Sequence, residues 1–394
     1  MMYEKVQCEY LFELIRSGMF DGEPFENGEN ADWEKLYKIS RSHKIEGILC
    51  SGIYKMPEEE RPPEKMVKQL EERWQMERGK DAVQKYSLNE ILDAFEEAGI
   101  DCVPLKGICI KEFYPESSMR TMSDLDLLYR GESEKAKAVL LSKGYQCESE
   151  EKRYHDIYWR RPFTKIEMHH HLLDGNFHGT EYYEDVWERK LHLKEGHTSV
   201  YEFSWEDYYI FMIVHFAKHM KTGGSGIRSV LDIKVFLDAK KEELDWQYIE
   251  KELRKLQLGE FEKQMKDLSE IWFGKKKGSR LSEELTEYII DSGVYGSRHN
   301  YRANRVVEFS GKSKNVKRGK FGSKLNVIFL PLYIIRDQYP YLKKYPFLLP
   351  VAWIERIMRT IFKRRNRIVK TIRDTEVDDA SVEKVKRVMD ALEI

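Results

Sequence analysis

The sequence predicts an α+β protein, in which a small mixed α/β sheet module is flanked by helical N-terminal and C-terminal segments. Three observations predict this class. Apolar residues recur with the helical period over residues 3–98, short apolar runs alternate with helical patterns over 99–203, and the helical period returns from residue 204. A length of 394 residues and a hydrophobic content of 41% fit two or three domains with a sizeable core.

The N-terminal segment, residues 1–98, is predicted to be helical. Leu11, Leu14 and Ile15 form one apolar stripe, and a second helix begins near Trp33 with Asn30 or Asp32 as its cap. A proline-containing loop follows, and a long helix then ends near residue 99.

The central module, residues 99–203, is predicted to carry the sheet. Apolar runs and alternating patterns predict strands at Ile100–Leu105, Leu125–Tyr129, Tyr145–Cys147, Tyr154–Arg160 and Lys165–His171. The last two are joined as a hairpin. Helices are predicted at Gly107–Tyr114 and Glu132–Ser142.

The C-terminal half is predicted as a helical domain over 204–295 and a further segment over 296–394. Ser204 and Asp207 have the spacing of a capping box. Residues 298–324 contain nine Lys or Arg and one acid, which indicates a mobile loop or a basic footprint. Nucleic acid binding is not favoured there because aromatic side chains are sparse. The aromatic stretch 330–353 is expected to pack on the helical domain, since its prolines interrupt any long amphipathic helix.

The composition argues against several classes of protein. The formal net charge of -1 argues against a general polyanion binder. The N-terminal residues lack the features of a secretory signal, and no apolar window is long enough to predict a transmembrane helix. The five scattered cysteines form no CxxC pair, so we expect free thiols, no structural zinc cluster and a cytoplasmic protein.

The strongest chemical signal is Ser123-Asp124-Leu125-Asp126. On a strand, Asp124 and Asp126 point to the same face, about 6.5 to 7 Å apart. Two neighbouring carboxylates repel each other unless a cation lies between them, and Mg²⁺ binds through carboxylates together with substrate phosphates. The alternative is a pair of solvated aspartates at a strand edge. If these aspartates bind a metal, replacing Asp126 by Asn is expected to leave the stability of the metal-free protein unchanged or slightly higher.

A second signal lies on a later strand. Glu167, His169 and His171 share one face there, and Glu167 is positioned to supply a third metal carboxylate. A zinc site is the weaker alternative because only two of the three consecutive histidines face the same way. Histidines that merely line a polar cleft remain the plainest explanation.

Basic residues and a glycine suggest phosphate contacts. Lys106 and Gly107 stand where a strand leads into a helix, whose N-terminal amides attract anions. Arg120 is able to bind a phosphate or a neighbouring carboxylate. Arg228 follows a glycine-rich turn, and it is able to reach a phosphate or to pair with Asp232 four residues later.

These motifs together resemble polymerase-beta-like nucleotidyltransferases. More closely, LKGICIKEFYPESSMRTMSDLDLLYR followed by KIEMHHHLL is similar to the family of uncharacterised nucleotidyltransferases, and segments before and after this module extend the resemblance over most of the chain. The wider superfamily has Gly-Ser where this chain has Lys106-Gly107. The resemblance implies a nucleotidyltransferase-like module with catalytic and metal-binding residues Asp124, Asp126 and Glu167. It also implies the nucleotide-binding residues Lys106, Gly107, Arg120, Ser123, His169 and Arg228.

The implied activity is transfer of a nucleoside monophosphate from an NTP such as ATP to a hydroxyl acceptor. Two Mg²⁺ (or Mn²⁺) ions about 3.5 to 4 Å apart are expected to assist in-line attack. The alternative is a catalytically inactive nucleotide-binding or interaction module on the same fold. The sequence leaves the acceptor, the base of the nucleotide and the oligomeric state open.

Overall fold

The structure is a computed structural model that describes residues 4–20, 22, 31–150, 155–173, 179–311, 316–336, 338–359 and 377–394. Its N-terminal part is helical, as predicted. The helices are α1 (Lys5–Phe20), α2 (Trp33–His43), α3 (Glu46–Tyr54) and α4 (Glu64–Glu97). Asp32 caps α2 by accepting from the amide of Lys35, while Asn30 lies outside the described residues. A β-carbon on Gly52 would meet the carbonyl oxygen of Leu14 at 2.2 Å, so glycine lets α1 and α3 approach closely.

A five-stranded mixed sheet follows. Its strands are β1 (Asp101–Pro104), β2 (Leu125–Arg130), β3 (Gln146–Glu150), β4 (His155–Arg160) and β5 (Thr164–His169), in the order β1-β2-β5-β4-β3. The pairing of β2 with β5 is parallel, and the other pairings are antiparallel. The predicted hairpin of β4 and β5 is confirmed, but β5 ends at His169, so His171 does not continue its face. The helices between strands are α5 (Gly107–Ile110) and α6 (Ser133–Ser142).

One face of the sheet is buried and the other carries polar groups. Leu125 and Leu127 on β2, with Ile166 and Met168 on β5, pack into an apolar cluster that also includes Phe95 of α4. Because side chains alternate along a strand, the residues between these four point to the opposite face. The sequence pattern therefore determines which face of the sheet is available for chemistry.

A short hairpin and a helical bundle complete the main body. They comprise α7 (Val186–Arg189), β6 (Leu191–Leu193), β7 (Tyr201–Phe203), α8 (Trp205–Thr222), α9 (Ile227–Lys240), α10 (Trp246–Lys255), α11 (Gly259–Phe273) and α12 (Arg280–Ser292). Ser204 accepts from the amide of Asp207 and begins α8, as predicted. The largest apolar cluster joins α1–α3 to α8–α12, so the N-terminal helices and the later bundle share one core. The β6–β7 hairpin was not predicted.

The basic segment 298–324 is helical where the structure describes it, and the predicted loop is wrong there. Its residues fall in α13 (Arg298–Ser310) and α14 (Val316–Ile328), and Ser297 caps the first of these helices. The remaining helices are α15 (Leu332–Ile335), α16 (Tyr341–Lys344), α17 (349–359) and α18 (Asp379–Leu392). Among the described helices, none has the length and apolar character needed to cross a membrane. All five cysteines are among the described residues and none forms a disulfide, as expected.

Candidate active site

The carboxylates are arranged by strand register. In the parallel pairing of β2 with β5, Asp126 lies directly opposite Glu167, on the face away from the apolar cluster. Asp124 immediately precedes β2 and reaches the same cleft. The three acids that the sequence predicts as partners therefore converge.

Asp126 is held by two basic side chains. The Nζ atom of Lys106 lies 2.8 Å from Oδ1 of Asp126, and Nε2 of His169 lies 2.7 Å from the same oxygen. Lys106 comes from the turn after β1, whereas His169 comes from the end of β5. His169, which the sequence predicts as a nucleotide contact, is thus a hydrogen-bond partner of the central carboxylate.

A second ammonium group links the other two acids. Lys165 donates from Nζ to Oδ2 of Asp124 at 3.3 Å and also to Oε1 of Glu167. Lys165 lies on the same face of β5 as Glu167 because the two are separated by two residues. His155 on the neighbouring strand lies 3.9 Å from Glu167. The three carboxylates are therefore paired with two lysines and lie beside two histidines.

The carboxylates differ in how strongly they hold a proton. Burial, with repulsion from Asp126 and Glu167, raises the pKa of Asp124 to about 6. Burial also acts to raise the pKa of Asp126, but Lys106 and the hydrogen bond from His169 outweigh it and lower that pKa. For Glu167, the hydrogen bond from Lys165 overcomes burial and lowers the pKa. Among the three carboxylates, Asp124 is therefore the one whose ionised form is stabilised least by its surroundings.

The donor atoms on this face of the sheet are suited to a divalent cation. One ligand atom from each of Asp126, Glu167 and His169 lies within 4.8 Å of the others. Carboxylate oxygens suit Mg²⁺, and an added imidazole nitrogen is acceptable to Mn²⁺. The sequence predicts Asp124 as the third member of this group, but in the structure the third member is His169. The carboxylate of Asp124 instead contacts Lys165. The residues fit a metal, with Asp124 adjacent to the group.

The turn after β1 has an unusual backbone conformation. Lys106 has φ 59° and ψ -125°, a region that side-chain-bearing residues rarely occupy. This conformation directs Lys106 toward Asp126, and the hydroxyl of Tyr208 donates to its carbonyl oxygen at 2.7 Å. At Gly107, a β-carbon would lie 2.7 Å from Sδ of Met122. Packing against Met122, in the segment before β2, therefore accounts for this glycine without any ligand.

A cleft of about 280 Å³ separates the polar face of the sheet from α8 and α9. Its sheet side is lined by Lys106, Gly107, Arg120, Ser123, Asp124, Asp126 and Glu167. The opposite wall includes Phe211, His215 and His219 of α8 and Arg228 of α9. The Nε2 atoms of His215 and His219 lie 3.1 Å apart. The pKa of His215 lies well below its usual range, mainly because the ring is buried and also because His219 is close to it.

The two arginines in the cleft have different partners. Arg120 binds Asp232 through Nε and Nη2 and donates from Nη1 to the carbonyl of Thr121, so the carboxylate pairing that the sequence left open is the one observed. Arg228 donates from Nη1 to Thr121 and makes no ion pair with Asp232. Among the described residues, its buried Nε has no hydrogen-bond partner. Burial and the neighbouring Arg120 lower the pKa of Arg228 to about 10.

Several cleft residues were missed by sequence reasoning. Lys165 was detectable, because it has the same strand periodicity as Glu167. Tyr295 was not, since it lies in the connection between α12 and α13 and reaches the cleft only through tertiary packing. Its hydroxyl bonds to that of Ser123, beside Asp124.

Comparison with protein families gives one match. A family model described as an uncharacterised nucleotidyltransferase matches residues 29–274, which is more than half of the chain. The matched range begins before α2, ends after α11 and includes the sheet, the cleft carboxylates and Arg228. Comparison with curated proteins and with solved structures gives no match.

Proposed function

The chain belongs to the uncharacterised nucleotidyltransferase family, and we propose that it transfers a nucleoside monophosphate from an NTP to a hydroxyl acceptor. The acceptor oxygen forms a new bond to the α-phosphorus, the bond from that phosphorus to the bridging oxygen breaks, and pyrophosphate leaves. The acceptor's proton passes to a base or to solvent. Catalysis of this kind depends mainly on positioning and on neutralising phosphate charge.

One observation carries the proposal. A group of carboxylates on the polar face of the sheet and a guanidinium with an unsatisfied buried donor line the same cleft. Buried polar groups are normally hydrogen-bonded, so an unsatisfied donor of Arg228 indicates a missing acceptor. A triphosphate provides acceptor oxygens for this arginine and for a cation held by the acids.

Asp126, Glu167 and His169, with Asp124 beside them, would hold Mg²⁺ or Mn²⁺. When bound, the metal neutralises phosphate charge and makes the acceptor hydroxyl more acidic. The backbone pairing of β2 with β5 keeps Asp126 and Glu167 in a fixed relation. Without metal, Nε2 of His169 bonds to Asp126, and this bond would be exchanged for the metal.

The remaining predicted residues have separable roles in this proposal. Lys106 and Arg228 bind the triphosphate, helped by the N-terminus of α9, where Arg228 occupies the first turn. Ser123 and Gly107 form the adjoining wall. Arg120 acts as a positioning residue, because its ion pair with Asp232 joins the loop before β2 to α9.

Nucleotide binding and turnover are tested separately. Each of the four NTPs is added with Mg²⁺, and thermal stability is measured; a nucleotide at 100 times its Kd stabilises by about 2.7 kcal/mol. The binding nucleotide, labelled at the α-phosphate, is then incubated with protein and candidate acceptors. Label transfer by the native chain and none by Asp126→Asn is the expected result. Stabilisation without label transfer would favour the inactive binding module. The absence of both stabilisation and label transfer would contradict the proposal.

A further inference from the structure

Two histidines of α8, His215 and His219, line the wall of the cleft that faces the carboxylates. They are four residues apart, so they lie on one face of the helix. Their Nε2 atoms are 3.1 Å apart and their ring centroids 4.4 Å apart. One of these nitrogens therefore donates a hydrogen to the other, and the two imidazoles are joined through it.

The pair leads from the interior of the cleft to solvent. His215 is half-buried and lies beside Phe211, whereas His219 is exposed. Among the residues that the structure describes, none bonds to Nδ1 of His215, and this nitrogen is not sealed from solvent. His215 thus has one nitrogen bonded to His219 and the other available to a molecule in the cleft.

The position of His215 relative to the carboxylates is fixed by Tyr208, two turns earlier on the same face of α8. Tyr208 donates to the carbonyl of Lys106 at 2.7 Å, and Lys106 holds Asp126. The charges of Lys106 and Asp126 both influence the pKa of His215, the first lowering it and the second raising it. His215 therefore lies across the cleft from the central carboxylate, on the other side of the space that a substrate would occupy.

Transfer to a hydroxyl needs a base, and two of the carboxylates have other partners. Asp126 bonds to Lys106, and Glu167 bonds to Lys165. His215 is neutral at ordinary pH, because burial and then His219 hold its pKa well below its usual range. A neutral imidazole accepts a proton. The negative charge of a bound triphosphate favours the protonated ring, so His215 becomes a stronger base once nucleotide is present.

We propose that His215 is the base of the transfer reaction and that His219 passes the proton on to solvent. Nδ1 of His215 takes the proton of the acceptor hydroxyl as the acceptor oxygen bonds to the α-phosphorus. The hydrogen on Nε2 of His215 moves to Nε2 of His219, and the hydrogen on Nδ1 of His219 leaves to solvent. Both rings end neutral, and exchange with solvent restores their tautomers. This inference rests on the transfer function proposed above and supplies its proton path.

His215→Gln in the full-length protein tests the base, because glutamine stays polar beside His219 but takes up no proton. Each of the four NTPs, labelled at the α-phosphate, is supplied with Mg²⁺ and with the candidate acceptors, glycerol or water. We expect kcat to fall about 100-fold or more, while the Kd for nucleotide changes less than about twofold. His192→Gln is the control, since His192 lies on β6 outside the cleft, and it is expected to keep the native kcat.

His219→Gln tests the onward step through the pH dependence of kcat. The titratable groups that influence His215 are His219 and Lys218 of α8, with Lys106 and Asp126 across the cleft. Because His219 lowers the pKa of His215, its removal raises that pKa. The reaction needs the neutral base, so kcat should be lost at a higher pH on acidification than in the native protein. At neutral pH, kcat is expected to fall about tenfold, because the proton loses its path.

The possible results separate the proton path from the transfer function. Native kcat in His215→Gln would overturn the path and leave Asp124 as the base. A raised Kd with unchanged kcat would also overturn it, because His215 would then only bind nucleotide. If His215→Gln melts well below the native protein, His219→Gln decides, and a native pH profile there would overturn the path. No label transfer by the native protein would contradict the transfer function itself, and the path with it.

Discussion

Asp126 and Glu167 lie directly opposite each other on two parallel, hydrogen-bonded strands. Neighbouring strands are about 4.8 Å apart, so the sheet itself sets the separation of the two carboxylates. Both acids already have basic partners, Lys106 and Lys165 respectively. In the metal-free site Asp126 and Glu167 are therefore ion-paired, and the predictions for Asp126 and for the metal depend on these pairs.

The first prediction concerns Asp126. Its replacement by Asn is expected to lower the free energy of unfolding of the metal-free protein by about 1 to 3 kcal/mol, because Lys106 and His169 lose their charged acceptor. The structure thus reverses the expectation drawn from the sequence, which treated this acid as a source of repulsion. Urea denaturation with a chelator present measures the effect. Unchanged or increased stability would restore the repulsion argument.

The second prediction concerns Asp124 and pH. Its pKa in the folded protein is raised to about 6 from a usual 3.8, first by burial and then by Asp126 and Glu167. A carboxyl group whose pKa is raised in the folded protein contributes stability that is complete below pH 3.8 and is lost as the pH rises through 6. Asp124→Asn lacks this loss. Relative to the native protein, the variant should gain about 1 to 3 kcal/mol between pH 4 and pH 7. If the free energies of unfolding of the native protein and Asp124→Asn changed in parallel with pH, Asp124 would have an ordinary pKa.

The third prediction separates the two arginines. Arg228→Met is expected to raise the Kd for nucleotide about tenfold or more, because a phosphate loses a charged donor. Its fold should survive, since Thr121 keeps the hydrogen bond from Arg120. Arg120→Lys is expected to lower stability instead, because lysine does not reproduce the two-pronged contact with Asp232. Calorimetric titration and thermal melts of both variants test the contrast; the reverse pattern would exchange the two roles.

The fourth prediction concerns the metal. We expect Mn²⁺ to bind weakly without nucleotide, since Lys165 already pairs with Asp124 and Glu167 and the metal lacks phosphate ligands. Lys165→Met removes this competing charge and should tighten metal-only binding by about tenfold. Electron paramagnetic resonance of free Mn²⁺ measures the affinity directly. His192→Gln is the control, because His192 lies on β6 outside the cleft. Equal affinity in all three proteins would exclude Lys165 as a competitor.

The sequence predicted the parts of this site that depend on strand alternation. A period of two places Asp126 and Glu167 on polar faces while Leu127 and Met168 turn inward, and both strands formed as expected. It did not predict which cations would meet which acids, since Lys106 and His169 reach Asp126 from separate elements.

Two further features depend on long-range packing. The local sequence of residues 298–324 is polar and basic, yet α13 forms because its buried side contacts the main core through Ala303 and Val306. Local composition gives no direct sign of such a partner. Arg228 is similar: its spacing from Asp232 suggested an ion pair, but Arg120 from a distant segment occupies that carboxylate.

The last prediction concerns His43, a buried residue that bonds to the first residue of α9 next to the cleft. Its Nδ1 accepts from the amide of Ile227, at the start of the helix that carries Arg228, and its Nε2 donates to the carbonyl of Ile290. Burial lowers the pKa of His43 to about 4. The unfolded chain takes up this proton near pH 6.5, so stability present above that pH is lost as the pH falls toward 4, by about 3 kcal/mol. His43→Gln does not titrate, and its stability should depend less steeply on pH between 4 and 6.5. Urea denaturation across that range decides, because an equal slope in both proteins would mean that another group binds the proton.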